Sequence, residues 1–155
     1  VKKILVTGMS GTGKSTALVE LGRRGHRVVD TDTDEWHEWV TRPDGSREWM
    51  WREPTIRRLL SEHRDGALFV SGTSSNQGLF YPLLDEIVLL SAPADVMLER
   101  IARRDNNPYG KSPDERALVL EHLRTVEPLL RRGATVEIDG SAPLTEVVRR
   151  LEELA

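Results

Sequence analysis

The stretch Gly8-Met9-Ser10-Gly11-Thr12-Gly13-Lys14-Ser15 carries the spacing G-x-x-x-x-G-K-[ST]. The chemistry open to such a stretch is anion binding. Glycines let the backbone fold so that successive N–H groups, and the N-terminus of the helix that follows, point at phosphate. In that arrangement Lys14 reaches the β- and γ-phosphates of a nucleoside triphosphate, and the Ser15 hydroxyl is offered to Mg2+. Gly8, Ser10, Gly11, Thr12, Gly13 and Thr16 complete the expected nucleotide contacts, with ATP or GTP as the ligand. A second group of candidates is the acidic run Asp30-Thr31-Asp32-Thr33-Asp34-Glu35. Three acids at every second position would repel one another on one side of a continuing strand. The chain is therefore expected to turn there, with Asp34 capping a helix that includes Trp36. His26, His37, His63 and His122 occur singly, without metal-ligand spacing, and are expected to serve surface or packing roles.

The elements that must position these residues follow from hydrophobic period. Short aliphatic or β-branched runs occur at Lys3–Val6, Arg27–Val29, Ala67–Val70, Glu86–Leu90 and Thr135–Ile138. Helical patterns lie between them, over 14–24, over 55–64, after Pro93, from Ser112-Pro113-Asp114 onward, and from about Pro143. Pro128 should kink or end the fourth helix, because proline lacks the N–H and clashes with the preceding turn. Strand and helix alternate five times, which implies a parallel sheet with helices on both faces. The acids after the second strand then face the γ-phosphate, because ligands of open α/β sheets sit outside the carboxyl ends of the strands. Residues 103–114 are the most turn-rich and charged, and a mobile loop is expected there.

Composition narrows the classes further. The chain has 155 residues, 22 basic against 25 acidic, and no cysteine. Disulfides, thiolate zinc sites and cysteine nucleophiles are thereby excluded. The mildly acidic balance speaks against a nucleic-acid partner that needs a basic footprint. The aliphatic run Ile87–Leu90 is far short of the roughly 20 residues of a membrane span. The apolar stretch Ile4–Val6 breaks at Thr7-Gly8, short of the roughly 7–15-residue core of a secretory leader. The expectation is a single domain over 1–155, cytoplasmic, without a membrane partner, and monomeric or weakly dimeric. Motor and AAA-type ATPases carry an Asp-Glu pair after about four aliphatics on a later strand. Here the third and fourth strands end Val70-Ser71-Gly72 and Leu90-Ser91-Ala92.

Taken together, these features resemble the adenylate-kinase-like small-molecule kinases, most closely the shikimate kinase-like layout, over nearly the whole chain. The resemblance implies a P-loop three-layer α/β sandwich with a five-stranded parallel sheet, helices on both faces and a mobile lid at about 103–114. It implies an ATP- and Mg2+-dependent transfer of the γ-phosphoryl group to a hydroxyl of a small-molecule acceptor. Asp30 matches the carboxylate placed on the Mg2+ shell, beside Ser15, and Asp32 the one placed against the acceptor hydroxyl. Trp51-Arg52 is similar to an aromatic-arginine motif that grips the acceptor, within an acceptor-binding region at about 33–64. The segment Gly72-Thr-Ser-Ser-Asn-Gln-Gly78 corresponds to the family's glycine-rich strand end, where Gly72 and Asn76 are candidate acceptor contacts. Arg100 and Arg104, spaced i,i+4 on one helix face, resemble lid-base arginines, the first stacking on adenine and the second contacting phosphates. Ile138-Asp-Gly-Ser-Ala-Pro143 resembles the loop against the other adenine face.

The departures concern the acceptor. Thr73-Ser74-Ser75 stand where the family has further glycines, and Val126 and Asn107 stand where it has arginines. Without those two guanidiniums shikimate itself is not the expected acceptor. All four tryptophans fall within Trp36–Trp51, and two readings stay open. Trp36 and Trp39, at i,i+3 on a helix, form a satellite core with Trp49 and Met50, or one or two indoles, Trp36 among them, line the acceptor pocket. The alternatives in function are a nucleoside or nucleotide kinase, with the indoles as a base platform, and an adenylate-kinase-like ATPase that acts as a nucleotide-dependent assembly factor.

Overall fold

A computed structural model describes residues 1–105 and 107–155. The buried aliphatic runs pair as one parallel sheet of five strands in the order β2-β5-β1-β6-β7. These are β1 (Lys2–Thr7), β2 (Arg27–Asp30), β5 (Ala67–Ser71), β6 (Glu86–Ser91) and β7 (Val136–Asp139). Side chains alternate across a strand, so the central strands β1, β5 and β6 each feed the cores on both faces. Ile4 and Val6 of β1, with Phe69, Val88, Leu90 and Ile138, pack on α1 (Lys14–Arg23) and α6 (Leu144–Glu152). Leu5, Leu68, Val70 and Ile87 face the opposite way, onto α2 (Glu53–Glu62) and the 3-10 helix Gln77–Leu83. On that second face, at Leu89, lie α3 (Ala94–Arg103), α4 (Pro113–Thr125) and α5 (Glu127–Gly133). The expected three-layer P-loop sandwich is the fold observed. No helix among the described residues is long and apolar enough to cross a membrane.

Connections follow from local chemistry. Gly13 sits at φ +98° as the residue before α1, a left-handed turn that a side chain would strain. The Ser112 hydroxyl accepts the Glu115 N–H at 3.1 Å and starts α4. Pro128 ends the fourth helical run as expected: the chain breaks at Val126 and restarts as α5 with proline in its first turn.

One expectation fails in the tryptophan window. The helix through Trp36 and Trp39 is instead a hairpin, β3 (His37–Thr41) against β4 (Arg47–Trp51). Asp34 therefore caps no helix. It lies in a single turn in which the Trp36 and His37 N–H groups both donate to Thr33 O. The physical reason is strand chemistry that outweighs the i,i+3 spacing. Trp49 and Trp51 stand two apart on one face, and Asp44-Gly45 closes the turn, with Asp44 Oδ1 accepting from Ser46 N and Oγ. The Arg42–Glu48 ion pair flanks it.

The indoles consequently divide. Trp51 is buried, edge-on to Phe80 with ring centroids 5.7 Å apart, and half-buried Trp36 packs on the same cluster. Trp39 is 56% exposed, with Arg47 over its ring, and leans on Trp49, which stacks on His37. This is neither the closed satellite core nor an indole-lined pocket.

Candidate active site

The carboxyl ends of the strands converge on one crevice, where β1 in the sheet's centre opens into the loop Gly8–Gly13 before α1. Strand connections run to opposite sides of β1, and such a switch point is where α/β sheets bind ligands. The Thr12 hydroxyl donates to Met9 O at 2.9 Å and braces the loop from inside. The Thr73 hydroxyl, just past β5, braces it from outside, donating to Gly8 O at 2.9 Å. Lys14 Nζ lies over the loop, donating to Gly8 O at 2.5 Å and Met9 O at 2.9 Å. Burial pulls the Lys14 ammonium down to about 8, against the opposing pull of Asp32 and Asp30.

The acidic loop is held by the residue between its two acids. Asp32 N donates to Asp30 Oδ1 at 3.0 Å, a local turn that keeps both carboxylates at the strand end. Thr31 points the other way and is fully buried. Its hydroxyl donates to Ser71 O at 2.7 Å and accepts the Trp51 indole N–H at 3.0 Å. The His37 Nδ1–H donates to Thr31 O at 2.6 Å. His37 and Trp51 are register partners in the hairpin, so the two strands clamp the acid loop from behind. A Cβ on Gly72 would collide with the Thr31 hydroxyl, which accounts for glycine at that position.

Two cavities occupy the crevice. The larger, about 480 Å3, runs from Gly11, Gly13 and Thr16 past Arg100, Arg103, Arg104 and Asn107 to Gly140, Ala142 and Leu144. Arg100 Nη1 approaches Gly11 O at 3.4 Å. Gly140 packs on Thr12 O so closely that a Cβ would not fit. The smaller cavity, about 240 Å3, is lined by Gly8, Asp30, Ser71, Gly72, Thr73, Tyr109, Val119 and His122, among others. Ser10, Lys14, Ser15 and Asp32 line both, so the two spaces meet there. Among the described residues no cluster of three or more His, Asp or Glu side chains is poised for a metal. A Mg2+ ion does not need one: it is bound by one or two protein oxygens plus substrate phosphates, and Ser15 and Asp30 in one cavity fit that pattern.

The other expected site residues are placed as follows. Arg52 donates to Glu38 Oε2 and Asp34 O, both at 3.1 Å, and lines neither cavity. Asn76 spends its amide on Trp51, donating to its carbonyl at 3.0 Å and accepting its N–H at 3.3 Å. Trp36 packs on the core side. Arg104 is turned onto the loop that follows it, donating to Asn107 O and Tyr109 O, and burial depresses its guanidinium while Asp32 opposes that shift. The lid expectation spans Asn106, which lies outside the described residues. Sequence reasoning missed Thr73, Tyr109 and His122 as lining residues. His122, expected in a surface or packing role, is exposed and faces the smaller cavity from α4. A hydroxyl one residue past Gly72 was a usable signal for Thr73; a lone histidine in a helix was none.

A model of the family described as an AAA domain matches residues 4–121. The chain is 28% identical to the shikimate kinase of Rhodopseudomonas palustris, with 95% of this chain and 77% of that one covered. It is also 28% identical to the shikimate kinase of Halorhodospira halophila, with 97% and 92% covered. Among solved structures, shikimate kinase from Acinetobacter baumannii in complex with shikimate superposes at a TM-score of 0.68 with 20% identity, covering 99% of this chain and 92% of that one. A gluconokinase from Sinorhizobium meliloti 1021 superposes at 0.61 with 22% identity, covering 98% and 94%. At these identities the superpositions speak for the fold.

Proposed function

The chain belongs to the AAA-domain family of P-loop proteins and is a small-molecule phosphotransferase, and from that premise we propose an ATP- and Mg2+-dependent kinase acting on a hydroxyl of a small metabolite. The observation that carries the reading is the meeting of two cavities at Lys14, Ser15 and Asp32. A hydrolytic switch needs one nucleotide cavity; a transferase needs a second, opening at the γ-phosphate.

In this reading the larger cavity takes the nucleotide, with its base between Arg100 and the Gly140–Ala142 loop. The loop N–H groups and Lys14 hold the β- and γ-phosphates and draw off charge as the transfer proceeds. Ser15 and Asp30 would hold Mg2+, which would supply positive charge to offset the charge that develops during transfer. Asp32 orients the acceptor hydroxyl and takes its proton as the acceptor oxygen bonds to the γ-phosphorus and the bond to the β-phosphate oxygen breaks, releasing ADP. Arg104, which lines the larger cavity, contacts phosphates there. The hairpin region within about 33–64 serves the acceptor side indirectly, through its clamp on Thr31. The acidic pair of motor ATPases is missing from the ends of β5 and β6, which supports transfer over mechanical work. No tryptophan lines either cavity among the described residues, which removes the base platform that favoured a nucleoside acceptor.

The test is acceptor dependence of ADP formation, with pooled metabolites, nucleosides and sugars followed by mass spectrometry of the products. Slow ATP loss alone and a phosphate gained by one acceptor is the expected result. ATPase activity that answers only to added protein would point to an assembly factor instead.

A further inference from the structure

The smaller cavity is lined by more acidic than basic side chains. Asp30 and Asp32 contribute two carboxylates, and the one lysine or arginine among its described lining residues is Lys14. That ammonium also lines the larger cavity and lies on the phosphate loop. Neither nearby arginine lines this cavity: Arg52 pairs with Glu38, and Arg104 lines the larger cavity, where the kinase reading gives it to the phosphates. The remaining wall mixes apolar Met9 and Val119 with polar side chains. Ser71 and Thr73 come from the end of β5, Tyr109 from the segment before α4, and His122 from α4 itself. The hydroxyls each both donate and accept, and the His122 ring adds hydrogen-bonding nitrogens, which suits a ligand made of hydroxyl groups. With Asp30 turned to Mg2+ in the kinase reading, a carboxylate or phosphate entering the same space still meets the Asp32 carboxylate, in a partly enclosed site with no arginine among its described lining residues.

Resting on the kinase reading, we propose that the acceptor carries no anionic group of its own: it is an uncharged polyhydroxyl compound or its amino counterpart, selected by the Asp32 carboxylate against hydroxy acids. Tyr109 and His122 are its specificity-determining wall.

Three acceptor pools built on shared carbon skeletons test this with the full chain and Mg2+-ATP: sugars and polyols, amino sugars and amino alcohols, and hydroxy acids including gluconate and shikimate. Turnover is expected from the first or second pool, with kcat/KM for the matching acid at least about tenfold lower, the size a like-charge contact imposes. Turnover confined to the hydroxy acids overturns the proposal while leaving the kinase reading intact. No turnover from any pool, with ATP binding intact by calorimetry, removes the kinase reading and this inference with it. His122→Arg places a guanidinium on an exposed α4 position where folding is not at risk. It should narrow the preference for neutral over acidic acceptors by about tenfold at unchanged ATP affinity. An unchanged ratio would show that cavity charge does not set selectivity.

Discussion

On the proposed donor side of the crevice the groups offered to phosphate come from consecutive residues, Gly8 to Ser15, and are mostly backbone N–H groups positioned by glycines and by the start of α1. On the acceptor side the groups are side chains drawn from the loop after β2, the end of β5, the segment before α4, and α4. The donor side is braced directly, by Thr12 within the loop and by Thr73 from just past β5. The acceptor side is braced at second hand, through buried Thr31 and the hairpin residues His37 and Trp51. Backbone recognition tolerates little variation and serves one ligand class. Side chains on separate elements can change one at a time, so the same scaffold can hold its donor constant while its acceptor changes.

Separating the two sides experimentally starts from Asp32. Asp32→Asn removes the proton acceptor and should lower kcat by about 10²–10⁴-fold with ATP affinity nearly unchanged, as measured by steady-state turnover and calorimetry. Normal turnover would remove Asp32 from the reaction. Lys14→Met removes a charge that serves both sides, and should cost on the order of 10²–10³ in kcat together with a loss of nucleotide affinity. If its effect were confined to kcat, the boundary between the sides would lie elsewhere.

The pH dependence of ATP binding isolates Lys14 without mutation. Its ammonium is pulled down to about 8 in the free protein, and bound phosphates must raise that value. Affinity is therefore full below pH 8 and should weaken by up to about tenfold per pH unit above it, with proton uptake on binding near pH 8.5–9. Calorimetry in buffers of different ionisation enthalpy reads this directly, and proton release there would contradict it. The smallest effect is expected behind the acceptor side. Trp51→Phe keeps a ring against Phe80 but removes the indole N–H donated to Thr31. It should cost about 1–3 kcal/mol in denaturant unfolding, through the lost bond and the space left behind. A several-fold fall in acceptor kcat/KM with unchanged ATP affinity would accompany it, and a loss of ATP affinity would break the separation of the two sides.

How legible each part was in the sequence follows from range. The strand runs, Pro128 as a helix break and the Ser112 start of α4 rest on neighbours a few residues apart, and all were readable. The hairpin was signalled by Asp44-Gly45 and by Trp49 and Trp51 two apart, but the Trp36–Trp39 spacing suggested a helix. A spacing of three fits either structure when only two residues carry it. Arg52 shows the other limit. Its place after Trp51 matched an acceptor-gripping arginine, yet Glu38 reaches it only because β3 and β4 pair.

By itself the sequence determined the phosphate loop, the alternation that makes a parallel sheet, and the placing of two carboxylates at the end of β2. These depend on bond geometry, periodicity and charge spacing that act within a few residues. The tertiary structure alone decided that Trp51 is a buried prop and Trp39 a surface residue, that Arg52 is paired away from the crevice, and that His122 faces the smaller cavity. Those outcomes depend on which distant elements pack together, and burial, pairing and lining are properties of the packed elements rather than of any one segment.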